Sequence, residues 1–210
     1  MSKIFIVGIG PGHSDYILPK AIKTIEKCGV IIGGKRNLDS INQIATLETK
    51  KSIVIEGNLV EVKDYISNNY TIQDIAVVVS GDTGFHSLLS YLKKNLAKEI
   101  RLEVVPGLSS IQYMYAKLKR PWQNAYVSSL HGRNIEVEEI VNKQKEVILL
   151  TDKYWNPNKI AQRLIDKNIT DKWMYIGSNL SYENEKIFKF KIENVPNIDY
   201  GLNVVVISDE

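Results

Sequence analysis

Cysteine is nearly absent: Cys28 is the only one in 210 residues, which excludes an internal disulfide. With only three histidines beside it, a structural Cys/His zinc site has too few ligands. Long apolar runs are missing too. No stretch approaches the roughly 20 residues that cross a bilayer, and the N-terminus enters a strand without a signal-peptide shape. A cytosolic location with no membrane partner is the expectation. Charge of one sign is scarce, since 27 Lys and Arg against 24 Asp and Glu leave +3. That balance suits a small anionic ligand. No basic cluster interleaved with aromatics stands out, so no nucleic-acid partner is expected. The chain also lacks a G-x-x-x-x-G-K-[ST] phosphate loop, a G-x-S-x-G elbow and an H-E-x-x-H zinc motif.

What is present is a β-α rhythm. Ile75–Val79 is a continuous apolar run that reads as a strand buried on both faces. It breaks into Ser80-Gly81-Asp82-Thr83-Gly84, and a helix is predicted from Phe85 to about Leu96. Strands at Lys3–Val7, Val30–Ile32, Ser52–Ile55 and Arg101–Val105 surround it. Helices over Leu18–Cys28, Asn37–Ile44, Leu59–Asn68 and Leu108–Leu118 alternate with them, which argues a mostly parallel sheet. Lys119-Arg120-Pro121 reads as a joint, giving domains at 1–119 and 120–210. Beyond it come strands at Ala125–Leu130, Val147–Thr151 and Lys172–Ile176, and helices at Val137–Lys143 and Pro157–Lys167. The strands Lys186–Lys191 and Leu202–Ser208 close the chain with no helix between them, so the second sheet is expected to be mixed.

Three glycine-bearing turns follow strands: Gly8-Ile9-Gly10-Pro11-Gly12, Gly81-Asp82 and Pro106-Gly107-Leu108-Ser109-Ser110. Open α/β sheets bind ligands at such strand ends, where glycine lets backbone and ligand approach closely. The first turn is not a dinucleotide fingerprint. His13 stands where the third glycine belongs, and the second strand ends Ile31-Ile32-Gly33-Gly34 with no acid for a ribose. Asp82 can serve either as a helix N-cap or as an acceptor for ligand hydroxyl or ammonium donors. Ser109 and Ser110 can be helix-capping residues, ligand contacts or a nucleophile.

In this order, Gly8-x-Gly10-Pro11-Gly12, Gly81-Asp82 and Pro106-Gly107-Leu108-Ser109-Ser110 resemble the tetrapyrrole methylases, the class III S-adenosylmethionine-dependent methyltransferases, over the whole chain. Gly33-Gly34-Lys35-Arg36, Ser128-Ser129-Leu130-His131-Gly132-Arg133, Leu149-Leu150-Thr151-Asp152 and Asn179-Leu180-Ser181-Tyr182 are similar to one branch, as is Leu202–Ile207. That branch comprises the cobalt-precorrin-7 C5-methyltransferases of cobalamin biosynthesis, here in stand-alone form. Thr83 departs from the proline usual after Gly-Asp. The resemblance implies two α/β domains with S-adenosylmethionine in the cleft between them, in a homodimer. It implies cofactor contacts at Pro11, Ser80, Gly81, Asp82, Phe85, Ser109 and Ser110, and from the second domain at Leu150, Thr151 and Leu180.

The reaction implied is transfer of a methyl group to C5 of a corrinoid precursor, with a separate decarboxylating C15-methyltransferase as a possible partner. The tetrapyrrole carries acetate and propionate carboxylates, so Lys35, Arg36, Arg120 and Arg133, in Gly- or Pro-containing loops, are candidates to grip its rim. His131 is a candidate proton acceptor or donor, a carboxylate contact or a structural residue. No metal site is expected. Diphthine synthase, a ribosomal RNA ribose methyltransferase and a non-catalytic S-adenosylmethionine-binding module are the alternatives on this fold.

Overall fold

The computed structural model describes residues 2–42, 44, 49–130 and 135–209, and divides the chain into two compact units, Met1–Ser109 and Ser110–Glu210. The helix predicted over Leu108–Leu118 at the end of the first domain spans Ser110–Leu118 and groups with the second unit.

The first unit alternates strands and helices: β1 Ile4–Gly8, α1 Pro19–Lys27, β2 Val30–Gly33, α2 Lys35–Asn42, β3 Lys51–Val54, α3 Leu59–Asn69, β4 Ile75–Val79, α4 Leu89–Asn95 and β5 Leu102–Val105. The five strands form one parallel sheet in the order β3-β2-β4-β1-β5. Alternation along β1 and β4 divides the core in two. Val7, Ala76 and Val78 pack with Ala21 and Ile25 of α1 and with Leu38 and Ile41 of α2. On the other face Ile4, Ile6, Ile75, Val77 and Val79 pack with Val62 and Ile66 of α3 and Leu92 of α4. Each Ile or Val removed from water in this way contributes about 1.5–3 kcal/mol. Pro19 stands at the first position of α1, where the missing N–H costs nothing.

This placement fixes where the sheet changes direction. The chain leaves β1 on the α1 and α2 face and leaves β4 on the α3 and α4 face. Since β1 and β4 are neighbours, their C-terminal ends open a topological switch point, the place where such sheets accept ligands.

The second unit contains α5 Ser110–Leu118, β6 Tyr126–Ser129, α6 Val137–Lys143, β7 Glu146–Leu150, α7 Pro157–Ile165, β8 Trp173–Ser178, β9 Lys186–Lys191 and β10 Asn203–Ser208. Its sheet runs β6-β7-β10-β8-β9, parallel between β6 and β7 and antiparallel elsewhere, the mixed sheet the sequence predicts. Val137, Val141, Ile160 and Leu164 of α6 and α7 cover Val147, Leu149, Met174, Ile176, Val205 and Ile207. On the opposite face α5 lies so close that a Cβ on Gly177 would stand 2.6 Å from Met114 Sδ.

One element differs in extent. The helix predicted from Phe85 begins only at Leu89. Asp82 Oδ1 accepts from Gly84 N at 2.7 Å, His86 has φ of 51°, and Ser87 Oγ donates to Thr83 O and accepts from Leu89 N. These local bonds hold residues 82–88 in turns and delay the helix by one turn. Asp82 is therefore an Asx-turn residue and not the N-cap of α4.

Candidate cofactor and substrate loops

The three glycine turns meet at the switch point. Gly81 N donates to Gly10 O at 2.7 Å, and Gly10 N to Gly81 O at 3.4 Å, an antiparallel bridge beyond the ends of β1 and β4. Gly10 and Gly81 both have positive φ, 79° and 67°, a conformation that glycine adopts without strain. The turn after β5 closes the group. A Cβ on Gly8 would lie 2.6 Å from Gly107 N and 2.7 Å from Gly81 O, and one on Gly107 would lie 2.7 Å from Gly8 C. Three turns far apart in sequence thus touch backbone to backbone, at contacts no larger residue permits.

Around this junction Pro11 is buried, while Gly81, Asp82, Phe85 and Ser109 are half-buried. Thr83 is buried beneath the loop. With one Asp82 oxygen on Gly84 N, the other remains as an acceptor.

The β2 turn joins the same edge. Ser80 Oγ donates to Asn37 Oδ1 at 2.8 Å and accepts from Arg36 Nη2 at 3.2 Å, so the first turn of α2 is bonded to the loop after β4. Lys35 and Arg36 are exposed there. Asn37 went unremarked in the sequence; its only signal was its place directly after Gly-Gly-Lys-Arg.

In the second unit the candidates separate. Thr151 Oγ1 lies 2.7 Å from Asn203 O and 2.8 Å from Asn203 Oδ1, and Asn179 N donates to Leu202 O at 2.7 Å. Leu150, Thr151 and the buried Leu180 therefore gather where β10 begins. Ser110 is the first residue of α5. Arg120 is at the other end of that sheet. Its guanidinium donates to Tyr175 Oη at 2.8 Å and Ser208 Oγ at 3.2 Å, and stands 3.5 Å from Glu146 Oε1 and 4.7 Å from the centre of the Tyr175 ring. These contacts give it a role inside the unit, apart from the other candidates. His131 and Arg133 lie outside the described residues.

The perturbed ionisable groups are structural. Burial pushes the Cys28 thiol up to about 12, with Asp74 adding to the effect. Burial raises Glu185, but Lys117 at 2.8 Å and Ser181 N at 2.6 Å more than offset this and hold its carboxyl below the usual value. Among the described residues no group of three His, Cys, Asp or Glu could hold a metal, and no helix is long and apolar enough to cross a membrane.

The family model for tetrapyrrole (corrin/porphyrin) methylases matches residues 3–196. A Methanocaldococcus jannaschii protein described as "probable cobalt-precorrin-7 C(5)-methyltransferase" is 36% identical, over 97% of this chain and 96% of its own. The Salmonella typhimurium cobalt-precorrin-7 C(5)-methyltransferase is 29% identical, over 98% of both chains. A Thermus thermophilus uroporphyrin-III C-methyl transferase, solved in complex with S-adenosyl homocysteine, superposes with a TM-score of 0.80 at 13% identity, over 99% of this chain and 98% of its own. Matched from end to end in this way, the chain belongs to the tetrapyrrole (corrin/porphyrin) methylases.

Proposed function

We propose that the protein is an S-adenosylmethionine-dependent methyltransferase of cobalamin biosynthesis that methylates C5 of cobalt-precorrin-7. The full-length similarity to the two proteins named for that activity carries the substrate assignment. The meeting of the three glycine turns beyond the ends of β1, β4 and β5 supports the cofactor assignment, because it lies at the sheet's switch point, where such sheets accept ligands.

The residues there fit S-adenosylmethionine. Asp82 keeps one carboxylate oxygen for ammonium or ribose hydroxyl donors, and Pro11, Ser80, Gly81, Phe85 and Ser109 supply backbone groups and a ring edge around it. When bound, S-adenosylmethionine supplies a methyl group on a sulfonium, already a good leaving group. The chain's task is then to orient and to exclude water, and orientation alone can contribute about 7–11 kcal/mol. Lys35 and Arg36 grip a substrate carboxylate, with Arg36 offering a two-pronged donor. A homodimer in the cytosol, passing its product to a separate decarboxylating C15-methyltransferase, completes the proposal.

The test is calorimetric titration with S-adenosylhomocysteine followed by a single turnover with cobalt-precorrin-7 and methyl-labelled cofactor. Micromolar binding and label at C5 are expected. Binding without label in the tetrapyrrole would refute the substrate, and no binding would refute the cofactor site.

A further inference from the structure

Ser80 bridges two residues that chain order keeps 43 and 44 positions away, Asn37 and Arg36. The direction of the bonds follows from chemistry. A guanidinium only donates, so Arg36 Nη2 donates its hydrogen bond to Ser80 Oγ, and the single hydroxyl hydrogen is left for Asn37 Oδ1. Each bond polarises the next, so the Asn37 acceptor strengthens the oxygen that holds Arg36. Without it the hydroxyl can rotate towards other acceptors, and Arg36 returns to the freedom of an exposed side chain at the start of α2. Asp39 follows three residues on along α2, but among the described residues the Arg36 guanidinium bonds to Ser80 Oγ and forms no ion pair with Asp39.

We propose that Asn37 is a positioning residue for the substrate: acting through the Ser80 hydroxyl, it holds Arg36 ready for one tetrapyrrole carboxylate. The inference rests on the reading of Arg36 as a substrate grip. Holding the guanidinium before binding removes an ordering cost otherwise met on binding. It also gives Ser80 a second duty, since its hydroxyl is engaged with α2 while its backbone leads into Gly81.

The experiment is a fluorescence titration of uroporphyrin III, an octacarboxylate tetrapyrrole, into the full chain saturated with S-adenosylhomocysteine. Wild type, Asn37→Ala, Arg36→Ala and the double variant are compared, with S-adenosylhomocysteine affinity measured for each. Asn37→Ala is expected to weaken uroporphyrin binding by up to about tenfold, the scale of ordering one long side chain on binding. In the Arg36→Ala background it should add less than twofold, because the two act as one unit. Cofactor-product affinity should stay within twofold of wild type, which a merely structural prop for the Gly81 loop would not allow. Asn37→Asp should bind more weakly than Asn37→Ala, since its carboxylate captures the Arg36 charge. Additive losses, a parallel loss of S-adenosylhomocysteine affinity, an unweakened Asn37→Asp or no uroporphyrin binding by wild type would each overturn the proposal. Wild type that binds uroporphyrin with the expected coupling, yet leaves cobalt-precorrin-7 unmethylated, would overturn the substrate assignment and leave the role of Asn37 standing.

Discussion

Replacing Gly107 by alanine tests the glycine junction most sharply, because the added atom meets only backbone. Its Cβ would lie 2.7 Å from Gly8 C and 2.9 Å from Gly8 Cα, and closer still to Gly81 O. Carbon atoms pack at about 3.5–4.0 Å, so the β1 and β4 turns must retreat by roughly 1 Å. All the atoms met are backbone, so no side-chain rotation relieves the contact. Overpacking of this kind costs about 1–3 kcal/mol. For a chain of this size each kcal/mol lowers Tm by about 2–4 °C, so a fall of roughly 2–12 °C is expected. The displaced turns are those proposed to carry the cofactor, so affinity for S-adenosylhomocysteine should fall with the stability. Calorimetric titration with S-adenosylhomocysteine and a thermal melt read both effects. Gly34→Ala is the contrast in the melt: its Cβ would meet only Asn37 Nδ2 at 4.0 Å, so only the poorer cap of α2 should cost stability, and its Tm should fall less than that of Gly107→Ala. A Gly107→Ala protein with unchanged Tm and affinity would refute the backbone convergence.

Further outcomes follow from three groups outside the junction. Arg120→Ala should destabilise the second unit by about 3 kcal/mol, because it leaves the half-buried Glu146 without its cation, while the KM for tetrapyrrole stays unchanged. A raised KM with unchanged stability would return Arg120 to the substrate. Cys28 should resist thiol reagents at pH 8 in the native protein, its thiolate being disfavoured by burial. The unfolded thiol loses its proton near 9 and the folded one near 12, so this residue makes stability fall as pH rises across that window, by up to about 1.4 kcal/mol per unit. Urea melts of wild type and Cys28→Ala should diverge there, and parallel profiles would contradict the assignment. Glu185 has a lowered carboxyl pKa, so its contribution is present above the unfolded value and is lost as pH falls through the folded one. Glu185→Gln should therefore be less stable than wild type at pH 7 and approach it in acid, as acid-limb melts would read. Equal separation of the two at every pH would contradict it.

Much of this was readable from residue pattern because it is local. The apolar run Ile75–Val79, the helix Val137–Lys143 and the strand Lys186–Lys191 have the predicted bounds, since periodicity and composition decide them without help from distant partners. The three glycine turns could be singled out one by one, but their meeting depends on the β4-β1-β5 order, which no single turn encodes. Arg120 shows the opposite limit. Beside Pro121 it looks like a loop cation, and only the folding of β7, β8 and β10 brings Glu146, Tyr175 and Ser208 to it. The start of α4 escaped pattern reading for a similar reason. Phe85, Leu88, Leu89 and Leu92 keep a helical spacing, yet the Asp82 turn and the left-handed His86 govern the backbone through residue 88.

The central claim is methyl transfer to one carbon of one tetrapyrrole. A single turnover of the full chain with cobalt-precorrin-7 and 13C-methyl S-adenosylmethionine, read by NMR of the product, tests it directly. The account predicts one labelled methyl at C5 and stoichiometric S-adenosylhomocysteine. Label at another position, or bound cofactor with no label transferred, would contradict it.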